Sequence, residues 1–138
     1  MAEIVRVTIV LGTRPEIIKT APVIRELRDS PIFSLTLVHT NQHYETNMSG
    51  AFFETLNLSR PDINLDIGSG SQAEQTASGL VQIEKLVESK EPAVVLAQGD
   101  TNAVLSAALA TSKLKAKFGH IEAGIRSFDQ SMPEEIKQ

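Results

Sequence analysis

The residues with chemistry to offer collect in short polar blocks, each following an apolar run. Gly12-Thr13-Arg14-Pro15-Glu16, with Lys19 close behind, sets a glycine and two cations at a helix entry. Glycine permits close backbone approach, a helix N-terminus offers unpaired N–H groups, and the cations add charge, which together suit a phosphate. The plainer reading pairs Arg14 with Glu16 on the surface and leaves Gly12 to the turn. The block is neither a Walker loop nor a full dinucleotide fingerprint. Asp100, in Gln98-Gly99-Asp100-Thr101, follows an apolar strand and precedes an apolar helix. It reads either as a helix N-cap or as a partly desolvated acid able to act near neutral pH. Glu122, in Gly119-His120-Ile121-Glu122-Ala123-Gly124-Ile125-Arg126, is expected at the same sheet edge. Two carboxylates beside Arg14 and Lys19 point to acid–base chemistry, with plain salt bridges as the alternative.

Two further blocks carry weaker signals. His39-Thr40-Asn41-Gln42-His43-Tyr44 places histidines four apart, but on a strand-to-helix turn rather than one helix face. No carboxylate at ligand spacing completes a set, so neither a metal nor a cofactor is expected. Gln42 and His43 are expected instead to hydrogen-bond a ligand or loop. Ser131-Met132-Pro133-Glu134-Glu135 reads as a helix start, with proline near N1 and acids where the dipole favours them. Only Ile136, Lys137 and Gln138 follow. A helix of about one turn is marginal, so the sequence is expected to be cut off there.

The elements that must position these blocks alternate along the chain. Strands are predicted over 3–11, 33–40, 62–65, 93–97 and 117–121, and helices over 15–29, 73–89 and 102–113. A short helix should carry Met48, Phe52, Phe53 and Leu56, and a kink is predicted at Pro22. Apolar strands that look buried on both faces, alternating with helices, imply a parallel sheet covered on both sides, an α/β Rossmann-like fold. Ligands of such sheets bind outside the carboxyl ends of the strands, where the polar blocks fall.

Composition narrows the classes. The 138 residues carry 13 Lys+Arg against 17 Asp+Glu, a net charge of −4, which argues against nucleic acid or an anionic membrane as partner. Cysteine is absent, so disulfides, Cys zinc sites and Cys nucleophiles are excluded. Glu3 and Arg6 interrupt the N-terminal apolar run, and no stretch approaches the ~20 apolar residues of a membrane span. A cytoplasmic location is expected.

Taken together, Gly12–Glu16, Gln42-His43-Tyr44, Gly99-Asp100-Thr101, 119–126 and Pro133-Glu134-Glu135 resemble the non-hydrolysing UDP-N-acetylglucosamine 2-epimerases. The resemblance covers essentially the whole chain but only the N-terminal part of a family member. It implies residues 1–138 as one Rossmann-like half of a two-domain, glycosyltransferase-B-type fold, with the C-terminal UDP-binding domain absent. It further implies interconversion of UDP-GlcNAc and UDP-ManNAc by elimination and re-addition of UDP. Asp100, Glu122 and Glu134 match the family's catalytic acids; Arg14, Lys19, Gln42 and His43 match its ligand-binding residues. The full-length protein is expected to be a homodimer, and the 138-residue chain inactive without its second domain. Two positions depart from the pattern. Lys137-Gln138 replaces a closing Asn-Arg, and Glu74-Gln75 replaces the Arg-Gln pair that many bacterial members use for an activating UDP-GlcNAc. A non-catalytic nucleotide-sugar-binding module and a split-gene remnant are the competing readings.

Overall fold

The structure, a computed structural model, describes residues 3–40, 46–124, 126–132 and 135, and for 46–50 the backbone only. Among the described residues five strands alternate with four helices. They are β1 Val5–Leu11, α1 Arg14–Asp29, β2 Phe33–His39, α2 Thr46–Thr55, β3 Ile63–Asn64, α3 Gln72–Lys90, β4 Val94–Gln98, α4 Asn102–Ser112 and β5 Lys117–Ile121. All strand pairs are parallel, in the order β3-β2-β1-β4-β5. This is the expected Rossmann-like α/β sheet, with the predicted element boundaries met within two residues; the short helix expected to carry Met48, Phe52, Phe53 and Leu56 ends at Thr55, one residue before Leu56.

Alternation along the strands explains the two-faced core. On β1, Val7, Ile9 and Leu11 point to one face and Val10 to the other. The first face packs on Ile17, Ala21 and Ile24 of α1 and on Phe53 of α2. The second packs on Ile83, Leu86 and Val87 of α3 and on Ala103, Val104, Ala107 and Ala110 of α4. The small residues of α4 let α3 approach closely: a Cβ on Gly79 would stand 2.7 Å from Ser106 Oγ. Helix α1 runs through Pro22 without a break. Its ring is exposed, and the Ile18 residue whose carbonyl it leaves unpaired is also exposed, so water can serve that group.

Order reverses between β1 and β4: from β1 the chain first builds outward through β2 and β3, then crosses to β4. That switch point opens a crevice at the carboxyl ends of β1 and β4. Register fixes what meets there. Val10 faces Ala97 and Gln98 faces Ile121, so the turns beginning at Gly12, Gly99 and Glu122 leave the sheet at one level.

Candidate active site

Glu122 is the best-anchored acid at this edge. It follows β5 directly and adopts φ 63°, a left-handed conformation that non-glycine residues rarely hold without a reason. Its carboxylate receives Lys19 Nζ at 2.8 and 2.9 Å and also accepts from Gln98 Nε2. Lys19 reaches it from the second turn of α1, whereas Gln98, at the end of β4, is only 1% exposed. The predicted meeting of Lys19 and Glu122 therefore occurs, and it takes the form of an ion pair. The lysine side chain is 53% exposed and the glutamate 28%, so the pair adds little to stability.

Asp100 stands differently. It precedes the helix cap rather than forming it: the N-cap of α4 is Thr101, so the capping reading of Asp100 is not what the structure shows. Among the described residues no hydrogen bond or ion pair holds the Asp100 carboxylate. The turn beneath it is nevertheless fixed. Gly99, at φ +90°, donates its N–H to Ile121 O at 3.2 Å, and its carbonyl lies 2.6 Å from His120 Nε2. A carbonyl only accepts, so Nε2 carries the proton in this contact.

The β1–α1 turn departs from both sequence readings. Glu16 does not pair with Arg14 on the surface: it is 2% exposed, and its Oε2 accepts the Gly12 N–H at 2.7 Å. The backbone N–H of the glycine expected to admit a phosphate is thus taken by an internal carboxyl group. Pro15 supplies no N–H at all. Burial raises the Glu16 pKa, against the opposing pull of the Thr101 hydroxyl, the Gly12 and Thr13 N–H groups and the Thr13 side chain. The sequence signal for this is Thr-x-x-Glu at 13–16, the spacing of a capping box. Arg14 projects over the Phe52 ring of α2, with 5.5 Å from guanidinium carbon to ring centroid, a cation–π contact. Of the two cations expected beside the acids, the structure brings Lys19 onto Glu122 and sends Arg14 toward α2.

Gln42, His43 and Glu134 lie outside the described residues, as do Pro133 and 136–138. Their neighbour Glu135 is described and does more than serve a helix dipole. It accepts from Arg126 Nε and Nη2 at 3.0 and 2.5 Å and from the Ser127 and Phe128 N–H groups at 2.8 and 2.9 Å. The Arg126 hydrogen bonds, then those backbone donors, lower its pKa to about 2. On α3, Glu74 closes a capping box with Ser71, and Gln75 Oε1 accepts from Asn102 at 3.0 Å. The two residues at the departing Arg-Gln position are thus engaged in helix ends. Among the described residues no three His, Cys, Asp or Glu groups gather as a metal site, and no helix is long and apolar enough to cross a membrane.

Fold and edge define a Rossmann-like domain that presents acids from adjacent strand ends at its switch point. A family model described as UDP-N-acetylglucosamine 2-epimerase matches residues 25–137, a span that includes Asp100, Glu122 and Glu134. This chain belongs to that family. A UDP-N-acetylglucosamine 2-epimerase of Methanococcus maripaludis is 60% identical over 133 residues, covering 96% of this chain and 36% of the relative. A UDP-2,3-diacetamido-2,3-dideoxy-D-glucuronate 2-epimerase of Pseudomonas aeruginosa is 42% identical over 96% of this chain and 38% of its own. The crystal structure of the Methanocaldococcus jannaschii UDP-GlcNAc 2-epimerase in complex with UDP-GlcNAc and UDP superposes with TM-score 0.89 at 55% identity. That match covers 96% of this chain and 36% of the solved one. The chain thus spans little more than a third of these relatives' length.

Proposed function

We propose that this chain is the N-terminal, acid-bearing half of a two-domain UDP-N-acetylglucosamine 2-epimerase of glycosyltransferase-B type. The observation that carries the reading is a carboxylate without a partner among the described residues, Asp100, one strand away from an anchored one, Glu122, in a chain of this family. Epimerisation at C2 needs a base to take the C2 proton, loss of UDP to leave a 2-acetamidoglucal, re-addition of UDP and protonation from the opposite ring face. Asp100, Glu122 and Glu134 supply the acid–base groups. Lys19 and Arg14 supply positive charge toward the sugar nucleotide, and Gln42 and His43 hydrogen-bond it.

The filled N-terminus of α1 supports placing the diphosphate on the second domain. The Glu16 carboxyl already bound to Gly12 N–H occupies a donor that another anion would use. The substrate is UDP-GlcNAc, the partner is the C-terminal domain, and the complete protein is a cytoplasmic homodimer. The test is NMR detection of deuterium entering C2 of UDP-GlcNAc in deuterated water. Exchange is expected when this segment is joined to the remainder of the M. maripaludis relative, and not from the 138-residue chain. An inactive joined enzyme, or robust exchange by the short chain, refutes the proposal.

A further inference from the structure

Glu16 is a carboxylic acid only 2% exposed, and capping does not account for its burial. The same protein contains a second box of this spacing, Ser71 to Glu74, and there the glutamate is exposed and the serine returns its bond. In the α1 box Thr13 makes no capping bond, and only Glu16 Oε2 is used in capping, on Gly12 N–H. Glu16 Oε1 is buried without a well-formed partner.

The rest of the side chain faces β4 rather than its own helix. Its Cγ lies 3.8 Å from where a Cβ on Gly99 would stand, and Thr101 Oγ1, whose presence lowers the Glu16 pKa, is like Glu16 Oε1 buried without a formed hydrogen bond. Glu16 thus packs against both ends of the Gly99-Asp100-Thr101 turn from the β1 side. From the β5 side the same turn is held by His120 Nε2 on Gly99 O and by Ile121 O on Gly99 N–H. Asp100 sits between these two holds, and none of them touches its carboxylate. We infer that Glu16 is a positioning residue: it braces the Gly99–Thr101 turn against β5 and so sets where the Asp100 carboxylate stands. This inference rests on the reading of Asp100 as a reacting acid.

Two measurements test it. In the enzyme completed with the M. maripaludis C-terminal portion, Glu16→Ala is expected to lower kcat for C2 exchange by about tenfold or more. KM for UDP-GlcNAc should stay within about twofold, since the displaced group acts on the reacting carbon rather than on binding. Glu16→Gln keeps an oxygen for Gly12 N–H and an amide for Thr101, and should recover most of the lost kcat. Should Glu16→Ala fail to fold, Thr101→Val carries the same test, because the Thr101 side chain makes no capping bond. A residue needed only for capping would lower Tm and leave kcat untouched, and that result overturns the inference.

The second measurement needs no activity. Amide exchange at Gly99, protected by Ile121 O, should accelerate about tenfold or more in Glu16→Ala of the 138-residue chain, while β1 amides keep their protection. Unchanged Gly99 exchange defeats the brace even if the epimerase reading stands. An inactive completed wild-type enzyme defeats that reading instead, and the exchange data then decide the brace without it.

Discussion

Gln98→Leu separates what holds the domain together from what aims its acids. The Gln98 amide is almost wholly buried, and its Nε2 donates to a carboxylate. A hydrogen bond to a charged group contributes about 1.5–3 kcal/mol. Leucine has nearly the same volume and gains about 1.5–3 kcal/mol from a buried site relative to an exposed one. Glu122 is not stranded by the change, because Lys19 still holds both its oxygens and more than a quarter of its side chain meets water. The two terms cancel to within about 1 kcal/mol, so the urea midpoint should barely move. Activity should behave otherwise. The left-handed Glu122 loses the one rigid partner that fixes its carboxylate plane, leaving a mobile lysine. A misplacement of about 1 Å costs up to about 100-fold in rate. C2 exchange in the completed enzyme should therefore fall by about ten- to 100-fold at nearly unchanged stability. Destabilisation beyond about 2 kcal/mol, or exchange within about twofold of wild type, would refute the reasoning.

Three other outcomes follow from the geometry. Gly99→Ala should cost about 1–3 kcal/mol in urea unfolding through backbone strain at φ +90°, since a Cβ there meets only ordinary contact distances. Phe53→Ala should cost about 3–5 kcal/mol by the same measurement, because the ring is fully buried against the α1 face of the sheet and edge-on to His39. The two perturbed glutamates should bend the Tm–pH profile in opposite senses. The folded state holds the Glu16 proton more tightly than the unfolded chain, so stability falls as pH rises from 4.5 through the raised value. Glu16→Gln, which cannot ionise, should therefore match wild type below 4.5 and exceed it above that window. Glu135 is lowered, so its contribution is complete above 4.5 and disappears as pH falls toward about 2; Arg126→Ala should flatten that acid limb.

The layers of the domain were legible because each rests on a periodic signal. Val7, Ile9 and Leu11 alternate with Val10 as a strand buried on both faces must, and five such runs alternating with helices leave few topologies. The gathering of Asp100, Glu122 and Lys19 at one edge was legible for a related reason: parallel strands end together. Side-chain direction was not. Arg14 and Glu16 are two residues apart, yet one leans on Phe52 and the other turns into the sheet edge. That outcome depends on the space beside Gly99, which only the assembled β1–β4 pair defines. Glu135 was misjudged for the same reason. Its partners, Arg126 and the N–H groups of Ser127 and Phe128, are brought round by a loop with no periodicity to read.

The filled helix terminus changes how this half of the fold should be understood. A Rossmann-like switch point ordinarily offers the first helix N-terminus to a phosphate. Here a carboxyl group of the same chain already stands beside that terminus. Gly12 N–H binds Glu16, proline occupies the next donor position but two, and the arginine between them leans away toward α2. At the edge stand two acids, Asp100 unpaired among the described residues and Glu122 held by Lys19 and Gln98. An edge of that kind offers a diphosphate little beyond Lys19 and Arg14 yet suits removal and return of a proton beside a neutral sugar ring. The chain therefore needs its anion-binding counterpart on a facing surface, and the division of labour follows from the charge of one turn. Glu16→Ala removes that internal acceptor, so it should weaken the division: inorganic phosphate is expected to perturb the Gly12 and Thr13 amide resonances of the variant and not those of wild type. Equal perturbation of both would show that Glu16 does not guard the terminus.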